Sequence, residues 1–165
     1  MILGMSIAAS VTVHTVISVL ALLAGLVVAG GMLGARTLPG WTAFFLLTTL
    51  VTDITGFLLP ADKILPSHIT GVVSAVAVVV AALAYYGGKL EGRWRAVYVV
   101  SAMLAAYLNA FVLVAQLFVK VPAMREIAPT PSSPAFGIVQ LLVLALFVGL
   151  GVRAMRAFHP VPAAA

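Results

Sequence analysis

From Met1 to Ala35 the chain carries no charged side chain; the first is Arg36. A transmembrane helix needs about 20 mainly apolar residues to cross a hydrocarbon layer about 30 Å thick. The run from Ser6 to Met32 meets that requirement, and four more follow: Trp41 to Leu59, His68 to Tyr86, Trp94 to Val119 and Phe136 to Val152. Helix breakers separate them. Pro39 follows Arg36, Pro60 and Pro66 flank Asp62 and Lys63, Gly87 and Gly88 precede Arg93, and a Pro- and Ser-rich stretch joins Lys120 to Pro134. The pattern predicts a single all-α domain over residues 1–165, a polytopic membrane helical bundle of five transmembrane helices at about 6–32, 41–59, 68–86, 94–119 and 136–152. No internal repeat or soluble domain interrupts it.

Composition closes off the alternatives. The chain is 64% hydrophobic and 8% charged, whereas soluble domains carry about a quarter charged residues. One small core cannot hide that much apolar surface, which excludes a soluble globular enzyme, a disordered tail and a nucleic-acid module. The net charge of +5 comes from basic residues scattered along the chain, not from a patch that would grip nucleic acid. With no cysteine, disulfides, thiolate catalysis, iron–sulfur clusters and thiolate zinc sites are excluded. The first apolar stretch has no basic region ahead of it, so it reads as a retained span rather than a cleaved signal peptide.

Basic residues near span ends set the expected orientation. One side holds Arg36, Lys89, Arg93, Arg95, Arg153 and Arg156; the other holds Lys63, Lys120 and Arg125. The first group reads as cytoplasmic, which puts the N-terminus outside and the C-terminus inside. Trp41, Tyr85, Tyr86, Trp94 and Tyr98 read as anchors at the cytoplasmic boundary.

Polar residues inside spans are costly and need protein, a ligand or a wet cavity beside them. At helical spacing the first span presents Ser10, His14, Ser18, Ala21 and Gly25 on one stripe, and the second Thr49, Thr52, Asp53 and Gly56. The third presents His68, Gly71, Ser74 and Ala75, and the fourth Ala105, Asn109, Gln116 and Lys120. The fifth offers only Gln140 and reads as peripheral. Because alternate spans run in opposite directions, His14, Asp53, His68, Asn109, Gln116 and Gln140 all fall in the outer half of the bilayer. The inner half reads as almost purely apolar, so an outward-facing polar pocket is expected.

Asp53 is the one acid inside a span. It reads as a proton-transfer group, a metal ligand or a counter-ion, or as a structural tie to Thr49, Thr52 and His14. His14 reads as its partner, either as ligand or proton relay, or as an interhelical hydrogen bonder. His68, at a span entrance, reads as an interfacial residue or an additional ligand, and Asn109 and Gln116 as interhelical glue or as groups that orient a ligand. Tyr107 lies about 200° around the helix from Asn109 and falls outside the stripe. Gly30 and Gly34 form a GxxxG pair, read as close helix packing.

Three functions compete. The leading one is binding of a metal ion or a small polar or redox ligand by His14, Asp53 and His68. These nitrogen and oxygen donors suit a transition-metal ion; a bis-His haem ranks lower, because His14 and His68 read as differing in depth by up to about 15 Å. The alternatives are an accessory subunit of a larger membrane complex and a small proton-coupled transporter or channel component. No catalytic step is assigned. The expected partners are the lipid bilayer and either a homo-oligomer or a larger membrane complex, with no nucleic acid.

The stretches HTVISVLALLAG, TDITGFLLP and YLNAFVLVAQLF, about a quarter of the chain, resemble small uncharacterised multi-span bacterial inner-membrane proteins. The resemblance implies a multi-pass inner-membrane location and carries no activity.

Overall fold

The structure is a computed structural model that describes residues 4–60 and 66–160. Lys63, one of the three basic residues counted on the outer side, lies outside the described residues. Those residues form an all-helical bundle in which five helices are long and apolar enough to span a membrane. They are α1 (Ile7–Leu33), α2 (Pro39–Leu58), α3 (Pro66–Ala82, continued by a π-helical turn Leu83–Gly87), α4 (Arg93–Lys120) and α6 (Pro134–Ala157). A short α5 (Pro122–Ile127) occupies part of the stretch expected to be a loop.

Local chemistry explains the ends. The Ser6 hydroxyl accepts the Ala9 N–H at 3.2 Å and caps α1. Pro39 and Pro134 start α2 and α6 two residues ahead of the expected Trp41 and Phe136, since proline is already set to a helical φ. Helix α6 continues past Val152 to Ala157 because Arg153 and Arg156 end its apolarity without ending its helicity. At the end of α3, Gly88 N–H reaches back five residues to the Leu83 carbonyl at 2.8 Å. That widened turn carries Tyr85, whose ring lies 5.1 Å from that of Tyr98.

Helix α1 packs on α2, α2 on α3, α3 on α4, and α4 closes the ring against α1; α6 lies outside, against α4 and α1. Helices α2 and α4 therefore face each other across the interior. The seams are built from small side chains: Ala21, Ala24, Gly25 and Ala29 on α1, Ala77 and Ala81 on α3, and Ala102, Ala105 and Ala106 on α4, all buried. In hydrocarbon, where apolar burial gives no net gain, such contacts let backbones approach for dispersion. A methyl group on Gly25 would meet the Phe45 ring at 2.9 Å and Ala106 Cβ at 3.3 Å. The GxxxG pair does not serve this role within the chain: Gly30 has nothing within 4 Å of an added methyl, and Gly34 is the C-cap of α1. The outer surface is apolar, with Leu47, Ile69, Val100, Leu141 and Leu142 all exposed; on α6 only Gln140, Phe147 and Ala154 are buried.

Candidate functional site

Most hydroxyls in the bundle satisfy themselves. Thr12, Thr15, Thr48, Thr55, Thr70, Ser10, Ser18 and Ser101 each donate to the carbonyl four residues earlier, the usual refuge for a helical hydroxyl in an apolar setting. Thr49 and Thr52 do not. Their hydroxyl oxygens are buried without a partner, as are Oδ2 of Asp53 and Nδ2 of Asn109.

A contact elsewhere aligns these groups. Thr42 Oγ1 of α2 and the Tyr98 hydroxyl of α4 meet at 3.2 Å across the interior, and the Tyr85 ring of α3 lies beside Tyr98. Asp53 lies eleven residues beyond Thr42, Asn109 eleven beyond Tyr98, and Ser74 eleven before Tyr85. Eleven residues make about three turns, or about 16 Å. Helices α2 and α4 run in the same direction and α3 in the opposite one, so Asp53, Asn109 and Ser74 return to the same inward stripes at one common level. The Asp53 and Ser74 side chains are neighbours there. Thr49 and Thr52 sit on the inward side of α2 within this tier, and the tier contains both a donor, Asn109 Nδ2, and acceptors.

The expected grouping changes in several ways. His14 Nδ1 pairs with Thr55 Oγ1 at 2.8 Å, and Thr55 is about 200° around α2 from Asp53. His14 thus occupies the α1 side of α2, and Asp53 the α3 side. His68 stacks on Phe57, with ring centroids 5.4 Å apart. Because Thr55 and Phe57 are two residues apart, His14 and His68 differ little in depth, contrary to the sequence reading; the body of α2, not depth, separates them. Among the described residues no three His, Asp or Glu side chains are placed to hold a metal ion, so the set His14, Asp53 and His68 does not form a metal site.

Gln116 is exposed. It lies about two turns beyond Asn109 on α4, and the Asp53–Asn109 register has carried α2 past its end by that level. Gln140 is buried and donates from Nε2 to the Phe111 carbonyl at 3.0 Å, which ties α6 to α4 rather than lining the interior. Tyr107 lies between Phe111 and Phe147, both at 6.1 Å, in that same α4–α6 seam.

The sequence reading missed the second polar level. Tyr98 is 1% exposed and Thr42 1% exposed, so Tyr98 is an interior hydroxyl rather than a boundary anchor, and the half expected to be apolar has its own hydrogen-bonded cluster. Trp41, Tyr86 and Trp94 are exposed, as boundary anchors would be. The signal was present: Tyr98, Ala102, Ala105 and Asn109 follow one helical stripe. Arg95, counted above among the basic residues near span ends, donates from Nη1 to the Met155 and Phe158 carbonyls, both at 2.9 Å, and caps α6. A small cavity of about 30 Å³ lies beside His14, Ser10, Thr55 and Leu58, room for roughly one water molecule.

The class defined by this fold is a multi-span helical bundle with two polar levels inside an apolar shell. No protein-family model, curated protein or solved structure matches the chain.

Proposed function

We propose that this chain is a multi-pass inner-membrane protein, N-terminus outside and C-terminus cytoplasmic, that binds a small polar ligand in the tier between α2, α3 and α4. Asp53 accepts hydrogen bonds from the ligand or takes its proton, Asn109 donates to it, and the Thr49 and Thr52 hydroxyls turn to either role. Ser74 orients the Asp53 carboxyl. One observation carries the reading: four buried polar atoms without partners, three of them on α2 (Thr49, Thr52 and Asp53) and the fourth on Asn109 of α4. Leaving each unsatisfied costs about 1–3 kcal/mol, and a bound polar molecule removes that cost. Basic residues, six against three, support the orientation.

The test is extraction of small molecules from the purified protein in lipid nanodiscs, read by mass spectrometry. A stoichiometric polar compound retained by the native chain and lost from Asn109→Leu supports the reading. A folded native chain that yields none, with Asp53 inert to deuterium exchange by infrared spectroscopy, overturns it. For orientation, a reporter fused to the C-terminus is expected to be active in the cytoplasm.

A further inference from the structure

Where α4 ends and α6 begins, the chain builds a second site, away from the polar tier. Phe118 of α4 and Phe136 of α6 pack edge to face, with centroids 5.5 Å apart. Beside them opens a cavity of about 180 Å³, lined mostly by apolar groups (Ala115, Val119, Ala128 and Pro131 among them) and reached by Arg125. The loop that closes it is ordered by its own hydroxyls: the Ser133 oxygen accepts the Thr130 N–H at 3.2 Å, and Thr130 Oγ1 meets Ser132 Oγ at 2.9 Å. Arg125 is held at the rim, with Nε donating to the Val119 carbonyl at 3.1 Å and Nη2 to the same oxygen. Both described bonds go to one carbonyl, so Nη1 remains available. Around it Val119, Val121 and Ile127 are exposed.

An apolar hollow with a guanidinium at its mouth, at the end of membrane-spanning helices, matches an amphiphile with a negative head. Exposed apolar side chains next to basic ones are also how a segment settles into a lipid interface. A guanidinium fits a phosphate oxygen pair in a fixed fork. We infer that the cavity between the end of α4, α5 and the start of α6 binds one anionic phospholipid, its phosphate on Arg125 and the start of an acyl chain against Phe118 and Phe136.

The experiment is thermal unfolding of the detergent-solubilised chain titrated with short-chain phosphatidylglycerol, phosphatidylcholine or inorganic phosphate. Phosphatidylglycerol is expected to raise the midpoint in a saturable way, phosphatidylcholine much less, and phosphate alone not at all. Arg125→Gln, which removes the charge and leaves a polar side chain, should weaken the phosphatidylglycerol response at least fivefold, while Arg153→Gln at the opposite end should not. Phe136→Ala gives a second probe, lowering lipid affinity with the charge intact. An equal response to both lipids, a response reproduced by phosphate, or an unchanged response in Arg125→Gln would overturn the inference.

Discussion

His14 and Thr55 join α1 to α2 through a 2.8 Å hydrogen bond, and that bond keeps the imidazole on the side of α2 away from Asp53. Two residues along a helix are a small step in depth, about 3 Å, but more than half a turn in direction. The two ionisable groups that look like partners in the sequence therefore serve different seams: His14 the α1–α2 contact, Asp53 the contact with Ser74 of α3.

Double-mutant cycles should separate the two. His14→Ala with Thr55→Val is expected to show coupling of about 0.6 kcal/mol, with about 1.7 kcal/mol as the upper range for such bonds in membranes. His14→Ala with Asp53→Asn should be additive within about 0.5 kcal/mol, as for groups without shared partners. Unfolding equilibria in mixed micelles give both numbers, and strong coupling in the second pair would restore a His14–Asp53 site.

Gly25 and Gly30 on α1 should respond in opposite senses. Gly25→Ala pushes a methyl into the Phe45 ring and Ala106 and should destabilise by about 1–3 kcal/mol, the usual cost of overpacking. Gly30→Ala meets open space and should be neutral or stabilising by up to about 1 kcal/mol from helix propensity. A chain in which Gly30→Ala is the damaging change would point to a Gly30 contact with another copy.

Arg95→Gln removes the charged donor from the last carbonyls of α6. Hydrogen bonds from charged groups contribute about 1.5–3 kcal/mol, so the loss should fall near that range. Faster amide exchange is expected in the last turn of α6 and not in α2; uniform acceleration throughout would contradict a local cap.

Ala35 ends α1 in the left-handed region at φ 54°, with Arg36 N–H returning to the Gly31 carbonyl at 2.9 Å. That position favours glycine, since a Cβ there costs about 1–2 kcal/mol. Ala35→Gly is expected to raise the unfolding free energy by about 1 kcal/mol, less the extra freedom glycine gains in the unfolded chain. A clear loss of stability would contradict the capping geometry.

The five spans were readable because hydrocarbon asks a one-dimensional question, whether about 20 consecutive residues are apolar. Ser6, Pro39 and Pro134 even mark helix starts chemically, although α6 outran its apolar stretch through Arg153 and Arg156. The stripes were readable too: Ser10, Ala21 and Gly25 are buried on α1, as are Thr49 and Thr52 on α2 and Ser74 on α3. Gln116 failed because spacing along α4 says nothing of where α2 ends beside it. Tyr98 failed because an aromatic near a span end looks the same whether it faces headgroups or the bundle's interior.

Hydropathy and helical period, which depend only on a residue's own chain neighbours, were enough to give an all-helical bundle with five helices long and apolar enough to span a membrane and to name Asp53, Ser74 and Asn109 as inward polar groups. Which of them meet was left to the packed structure. Pairing depends on the rotation of each helix and its sliding against the next, and those are set by contacts such as Gly25 under Phe45 and Thr42 on Tyr98, between residues distant in the chain. About 200° on one helix is what divides His14 from Asp53, and only the assembled ring of helices supplies the reference against which that angle has meaning.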